Sequence, residues 1–405
     1  MKKHLFFVLG LALLASCTES ENTDPAVDPS DLDANGNANC YVVYDAGDYH
    51  FDGTVRGNGA VSADIPLSAT GVATASASLV WESAKGLVTE VSFDGIEISF
   101  HYDGSKGNAV IAALDSDGAV AWSWHIWAPE DKLTSVTAKN DVEICNLNLG
   151  ALTAELGEGD DTKCYGLLYQ WGRKDPFPSS PTRTGDASTV GYPVYNAEGE
   201  ELSIGHSSWY STVDNTLEYA IANPTVCLSN FAQSSTGISY DWLKAEDKND
   251  HLWGETKTIF DPCPAGYSVP AAKALSYFTK DGGYTVNYSD IDVADINGDG
   301  VITAADYNCG WHFNVKEGSL FFPAAARYDG SYAMLYGSKS GVWGNYWSCT
   351  PATEETASFF QEGTANAILA FDHEETYDTV SPLATGSKAD AYSVRCVKEG
   401  TVISE

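Results

Sequence analysis

The sequence predicts an α+β protein overall, with an N-terminal all-β, sandwich-like domain followed by an irregular, loop-rich α+β domain. Between Asn39 and Pro129 apolar residues alternate with polar ones and the runs are broken at Asp-Gly turns, which is the period of half-buried strands. Helical periodicity is missing there and surfaces later only in two short segments, Thr216 to Ile221 and Ala271 to Phe278. The chain has 405 residues, 43% of them hydrophobic and 12% aromatic, enough to bury real cores and too long for a single one.

The first sixteen residues place Lys2 and Lys3 ahead of an apolar run from Leu5 to Ala15, the layout of a secretory signal and too short for a membrane span. Leu14-Ala15-Ser16-Cys17 resembles a bacterial lipobox, so residues 1–16 are expected to be removed and Cys17 acylated as the new first residue. Residues 17–38 carry Asp, Glu, Asn and Pro with little to bury and read as an acidic tether. Residues 39–135 are the expected β-sandwich-like domain. In it Val91 and Phe93 alternate up to Asp94-Gly95 and Ile96, Ile98 and Phe100 alternate away, the pattern of a hairpin with a type I′ turn. Ala109 to Leu114 and Ala119 to Trp127 flank a second turn in the same way. Residues 136–402 form the second domain, whose short strands lie between long loops rich in Gly, Ser and Trp.

Charge narrows the partners. Asp and Glu number 56 against 22 Lys and Arg, a net of −34, and such a surface repels nucleic acid. Apart from Cys17 there are eight cysteines over nearly the whole chain. Their even number permits disulfides in an exported protein, but their low density leaves folding to the cores.

Several segments together resemble one family. Asn148 to Gly150 (NLG), Gly166 to Phe177 (GLLYQWGRKDPF), Lys257 to Pro270 (KTIFDPCPAGYSVP), Tyr346 to Thr350 (YWSCT) and Tyr392 to Glu399 (YSVRCVKE) are similar to the Fibrobacter succinogenes major paralogous domain, in the order that family shows. The NCYVV and WSWHIW segments resemble the region preceding that domain in Bacteroidetes surface lipoproteins. The resemblance implies a C-type-lectin-like or formylglycine-generating-enzyme-like fold whose long loops carry binding. Cys263 and Cys396 stand in the two strongest of these motifs, and a disulfide between them is the pairing to expect. Cys349 sits where the family commonly has Ser and reads as a small buried residue.

The sharpest chemical pattern is Asp295-Ile-Asn297-Gly-Asp299-Gly-Val301-Ile-Thr303-Ala-Ala-Asp306. Oxygen side chains at positions 1, 3, 5, 9 and 12, with the Val301 carbonyl at position 7, are what a loop needs to wrap calcium. It resembles dockerin and EF-hand loops, except that Asp306 stands where an EF-hand has a bidentate Glu. The expectation is a structural calcium clip in an insertion near residues 290–309.

Trp122, Trp124 and Ile126 share one strand face and read as core. Trp343, Tyr346 and Trp347 are punctuated by Gly341 and Gly344 and read instead as a ligand-contacting loop. The Arg173-Lys174-Asp175 run reads as a weak surface ion-pair group that anchors its loop. No HExxH, HxH, GxSxG or Walker A pattern occurs, so no catalytic residue is assigned. These features together predict an outer-membrane lipoprotein exposed at the cell surface, binding glycan or another surface macromolecule rather than turning over a substrate. An accessory or tip component of a fimbria-like assembly is the second reading. An enzyme of the formylglycine-generating type is the third, its reactive cysteine pair having no place in this chain.

Overall fold

The computed structural model describes residues 28–183, 189–204, 215–229, 241–354, 356–363 and 380–401. The signal and Cys17 lie outside them. Among the described residues no helix is long and apolar enough to cross a membrane.

The architecture corrects the expected fold class. Strands account for 34% of the residues and helices for 9%, so the protein is mostly β, in several sandwich-like sheet arrangements, rather than α+β. The reason is visible in the two expected helices. Thr216 does cap a helix, accepting from the Tyr219 amide, but Leu217–Ala222 is a turn and a half long. Ala272–Phe278 forms only 3₁₀ turns that seat Ala274, Leu275 and Phe278 in the core.

Four strands and an edge pair build the first sheet, in the order Cys40–Val42, Val120–Ala128, Gly107–Leu114, Ser76–Glu82, Val194–Tyr195 and Glu201–Leu202. A three-stranded sheet of Gly47–Asp52, Glu97–Tyr102 and Val88–Phe93 lies against it, with Phe51 packed on Tyr41 and Trp124 at ring separations of 4.8 and 5.1 Å. Both expected hairpins are present, paired at Phe93↔Ile98 and Ala113↔Trp122. The first turn departs from type I′. Only Gly95 has positive φ (115°), whereas that type needs it at Ile96 too. Residues 28–38 are not free tether: Leu32 donates to the His50 carbonyl at 2.9 Å and Asp33 accepts from the Asp52 amide at 2.7 Å.

The largest sheet centres on Leu167–Gln170, which pairs with Phe177–Pro178 on one side and Ala391–Ser393 on the other; beyond lie Trp343–Pro351, Thr356–Gly363 and Val380–Ser387. A four-stranded sheet of Tyr267–Ser268, Val397–Lys398, Glu143–Cys145 and Ser135–Thr137 takes the end of the chain. The C-terminal segment from Ala391 to Lys398 is therefore split between two sheets, and the buried Arg395 sits at the crossing.

One apolar cluster runs from Cys40 to Cys396, with no break near residue 135. Asn39 shows how its parts are joined: its amide donates to the carbonyls of Ile259 and Asp261, and its oxygen accepts from the Trp122 indole. A second cluster gathers Phe278, Phe313, Phe322, Phe360 and Trp311. Cys263 and Cys396 form a disulfide, Cα atoms 6.1 Å apart. Cys349 is buried, and burial pushes its thiol up to about 12.

Candidate functional site

The aromatic loop expected at Trp343, Tyr346 and Trp347 is a correction. These residues lie in the strand Trp343–Pro351 and are 4%, 1% and 0% exposed, so they offer no platform to a ligand. The Trp347 indole donates to the Tyr169 carbonyl and stacks on Tyr392 at 4.2 Å, while the Tyr346 hydroxyl donates to the Pro323 carbonyl. Gly344 misled the reading. A Cβ there would meet Glu362 Oε1 at 2.2 Å, so this glycine permits a close cross-strand approach rather than a loop.

Arg173, Lys174 and Asp175 are likewise buried rather than at the surface. Asp175 accepts from Ser123 and Lys174, both at 2.6 Å, and the Lys174 ammonium stands 4.6 Å from the centroid of the Trp122 ring. Burial lowers the pKa of Lys174 and Asp175 opposes the shift.

The loop Asp295 to Asp306 folds around its own amides. Asp295 accepts from Gly298 and Gly300, Asn297 from Asp299, and Asp299 from Val301. Gly298 and Gly300 both have positive φ, which lets the chain curl. Asp306 is fully buried and accepts from Ile296, Asn297 and Thr303, forming a capping box with Thr303. Val301 is exposed. The donors are oxygens of the kind calcium takes, but no group of three or more His, Cys, Asp or Glu gathered for a metal occurs among the described residues. Asp306 would have to release an amide to coordinate.

A cleft of about 250 Å³ opens where the first sheet meets the loops of the largest one. Asn108, at the start of the strand Gly107–Leu114, is its fixed point. Its backbone amide donates to the Ser83 hydroxyl, its side-chain amide donates to the Gly150 carbonyl at 2.9 Å, and its oxygen faces His125 Nε2 at 2.9 Å. Burial depresses His125 to about 3, so the imidazole is neutral. Because the Asn108 oxygen must accept, Nε2 carries the proton. The Tyr192 hydroxyl sits beside Asn108, and burial pushes its pKa up.

Two amines and a carboxylate complete the lining. Lys106 donates to the Tyr44 carbonyl at 2.9 Å, and Lys163 pairs with Glu130 at 2.6 Å, a hydrogen bond that raises its pKa. Asp161 lies at the rim and accepts from the Lys163 amide. Gly150, with φ of +83°, and Gly166, with φ of +73°, line the floor; a Cβ at Gly166 would meet the Leu149 carbonyl at 2.6 Å. None of Lys106, Asn108, Asp161, Lys163 and Tyr192 was legible as a site in the sequence. The only hint was a polar residue opening the otherwise apolar strand that begins GNAV.

No family model, curated protein or solved structure matches the chain.

Proposed function

We propose that this chain is a lipid-anchored outer-membrane protein of the cell surface that binds the polar end of a glycan in the cleft at Asn108, Tyr192, Lys106 and Lys163. The observation that carries the reading is the cleft itself. Its volume lies just below the range of about 300 to 1,000 Å³ that encloses drug-sized ligands, and it is lined by amide, hydroxyl and amine groups held in place from behind. Such a set of donors and acceptors satisfies a ring of hydroxyls. Lipid at Cys17 would hold the chain at the membrane, and a calcium ion in the Asp295 to Asp306 loop would stiffen that insertion. The strongly acidic surface speaks against nucleic acid as a partner.

A glycan array probed with the mature chain carrying Cys17→Ala, with calcium and with chelator, tests this. Hits on hydroxyl-rich glycans are expected. Tyr192→Phe and Lys106→Met should each weaken the best hit by about tenfold, the loss of one hydrogen bond or charge contact. An array without hits, or hits indifferent to both substitutions, removes the cleft as the site.

A further inference from the structure

Lys388 is 1% exposed and lies in the turn between the strands Val380–Ser387 and Ala391–Ser393. Its ammonium touches Asp250 Oδ1, donates to the Glu354 carbonyl at 3.0 Å, and has Asp241 Oδ2 at 3.9 Å. The Trp171 ring lies 4.5 Å below it, itself packed against Trp253 at 5.8 Å. One amine thus stands between two carboxylates in an aromatic enclosure.

The other buried cations of the described residues differ from it. Lys257 donates to the carbonyls of Cys263, Pro264 and Tyr267, which use its three protons. Lys174 meets only the acid next to it in sequence. Arg173 and Arg395 carry guanidinium groups, which are poor nucleophiles. Lys257 also has Asp261 and Glu399 at 3.9 and 3.6 Å, but its hydrogen bonds go to carbonyls, whereas Lys388 touches a carboxylate directly, one 138 residues away.

We infer that Lys388 and Asp250 condense into an intramolecular amide, with Asp241 as the positioning carboxylate that carries the proton. Before the step a proton passes from Nζ to the Asp250 carboxylate, which gives amine and carboxylic acid without changing net charge. The Nζ lone pair then attacks Cγ of Asp250. Asp241 takes the proton from nitrogen and delivers it to the departing hydroxyl, so that the C–N bond forms as a C–O bond breaks. One water leaves, nothing is oxidised or reduced, and Asp241 ends as it began. Burial pushes Asp241 up to about 6, which suits a group that must take and return a proton near neutrality.

The surroundings favour the step. Trp171 donates its backbone amide to the Lys388 carbonyl, and the segment beyond Asp250 is anchored by the Trp253 indole on the Phe260 carbonyl, so both partners are held in a fixed approach. The Asp250 side chain is 36% exposed, which leaves a path for the released water. The product would close a covalent loop between two segments that the disulfide does not connect.

Tryptic digestion of the reduced, denatured mature chain followed by mass spectrometry tests the inference. A branched peptide joining residues 249–257 to residues 340–395, lighter than the two together by one water and uncut after Lys388, is the expected result. Separate peptides 249–257 and 340–388 from the wild-type chain would overturn it. Lys388→Arg keeps the charge and must yield no branch. Asp241→Asn, shown to be folded by near-ultraviolet dichroism of its tryptophans, should leave the peptides unlinked; a full branch in that variant would overturn the role given to Asp241.

Discussion

Arg395 Nε donates to the side-chain oxygen of Asn148 at 2.7 Å, across 247 residues of chain. The same guanidinium donates to the carbonyls of Cys145, Asn146 and Phe321, and stands 4.5 Å from the centroid of the Phe322 ring. It occupies the point where the chain leaves one sheet for another, so acceptors at the end of the strand Glu143–Cys145, just beyond it at Asn146 and within the strand Ser319–Pro323 are satisfied by one side chain. Replacing Arg395 with Met keeps much of the volume and strands those acceptors. We expect a loss of about 3 kcal/mol in urea unfolding. A change below about 0.5 kcal/mol, the range of an ordinary surface substitution, would show that water replaces the guanidinium without cost.

The disulfide acts on the same region by another route. It closes a loop of 133 residues, and its chief effect is to restrict the unfolded chain. The double variant Cys263→Ser, Cys396→Ser should lose about 2 to 4 kcal/mol, and wild type under reducing conditions should lose a similar amount. Equal stability of oxidised and reduced protein would mean that buried packing at both positions already fixes the loop.

What was legible in the sequence follows from range. The hairpins around Asp94-Gly95 and Asp115 to Gly118 were readable because period-two alternation and a turn are local signals. Trp343 to Trp347 misled because a glycine in a strand and a glycine in a loop are written alike; only Glu362 lying over Gly344 separates them. Arg173 to Asp175 looked like a surface cluster because nothing in the charges themselves shows that Ser123 and Trp122 cover them. The cleft was out of reach. Ser83, Asn108, Lys163 and Tyr192 come from four separate stretches, and no period or motif connects them. The helical part was overread, because a turn and a half of helix and a run of 3₁₀ turns have the spacing of longer helices.

The Asp295 to Asp306 loop makes a calcium prediction with a defined weakness. Asp306 is short and already bonded to three amides, so calcium should bind at about 10⁻⁴ to 10⁻³ M, the range of extracellular modules. Calorimetric titration should give heat with wild type and none with Asp299→Ala, whose side chain otherwise holds only the Val301 amide. Identical heats would remove the site. Asp306→Ala should destabilise the protein by about 1 kcal/mol even under chelator, because it leaves three part-buried amides without their acceptor.

Asp33 gives a pH dependence whose sign can be worked out. Burial, then the side chain of Asp31 beside it, pushes Asp33 from 3.8 up to about 6. A carboxyl raised in the folded state binds its proton more tightly folded than unfolded. Its contribution to stability is therefore fully present below its unfolded pKa and is lost as pH rises through about 6. Asn mimics the protonated acid: its oxygen can still accept from the Asp52 amide and its nitrogen can donate to Asp31. Asp33→Asn should accordingly be more stable than wild type at neutral pH. That advantage should shrink steadily between pH 6 and pH 4, in urea unfolding followed by tryptophan fluorescence at each pH. A difference independent of pH would assign the effect to packing of residues 28–38 on the strand Gly47–Asp52 instead of to the proton.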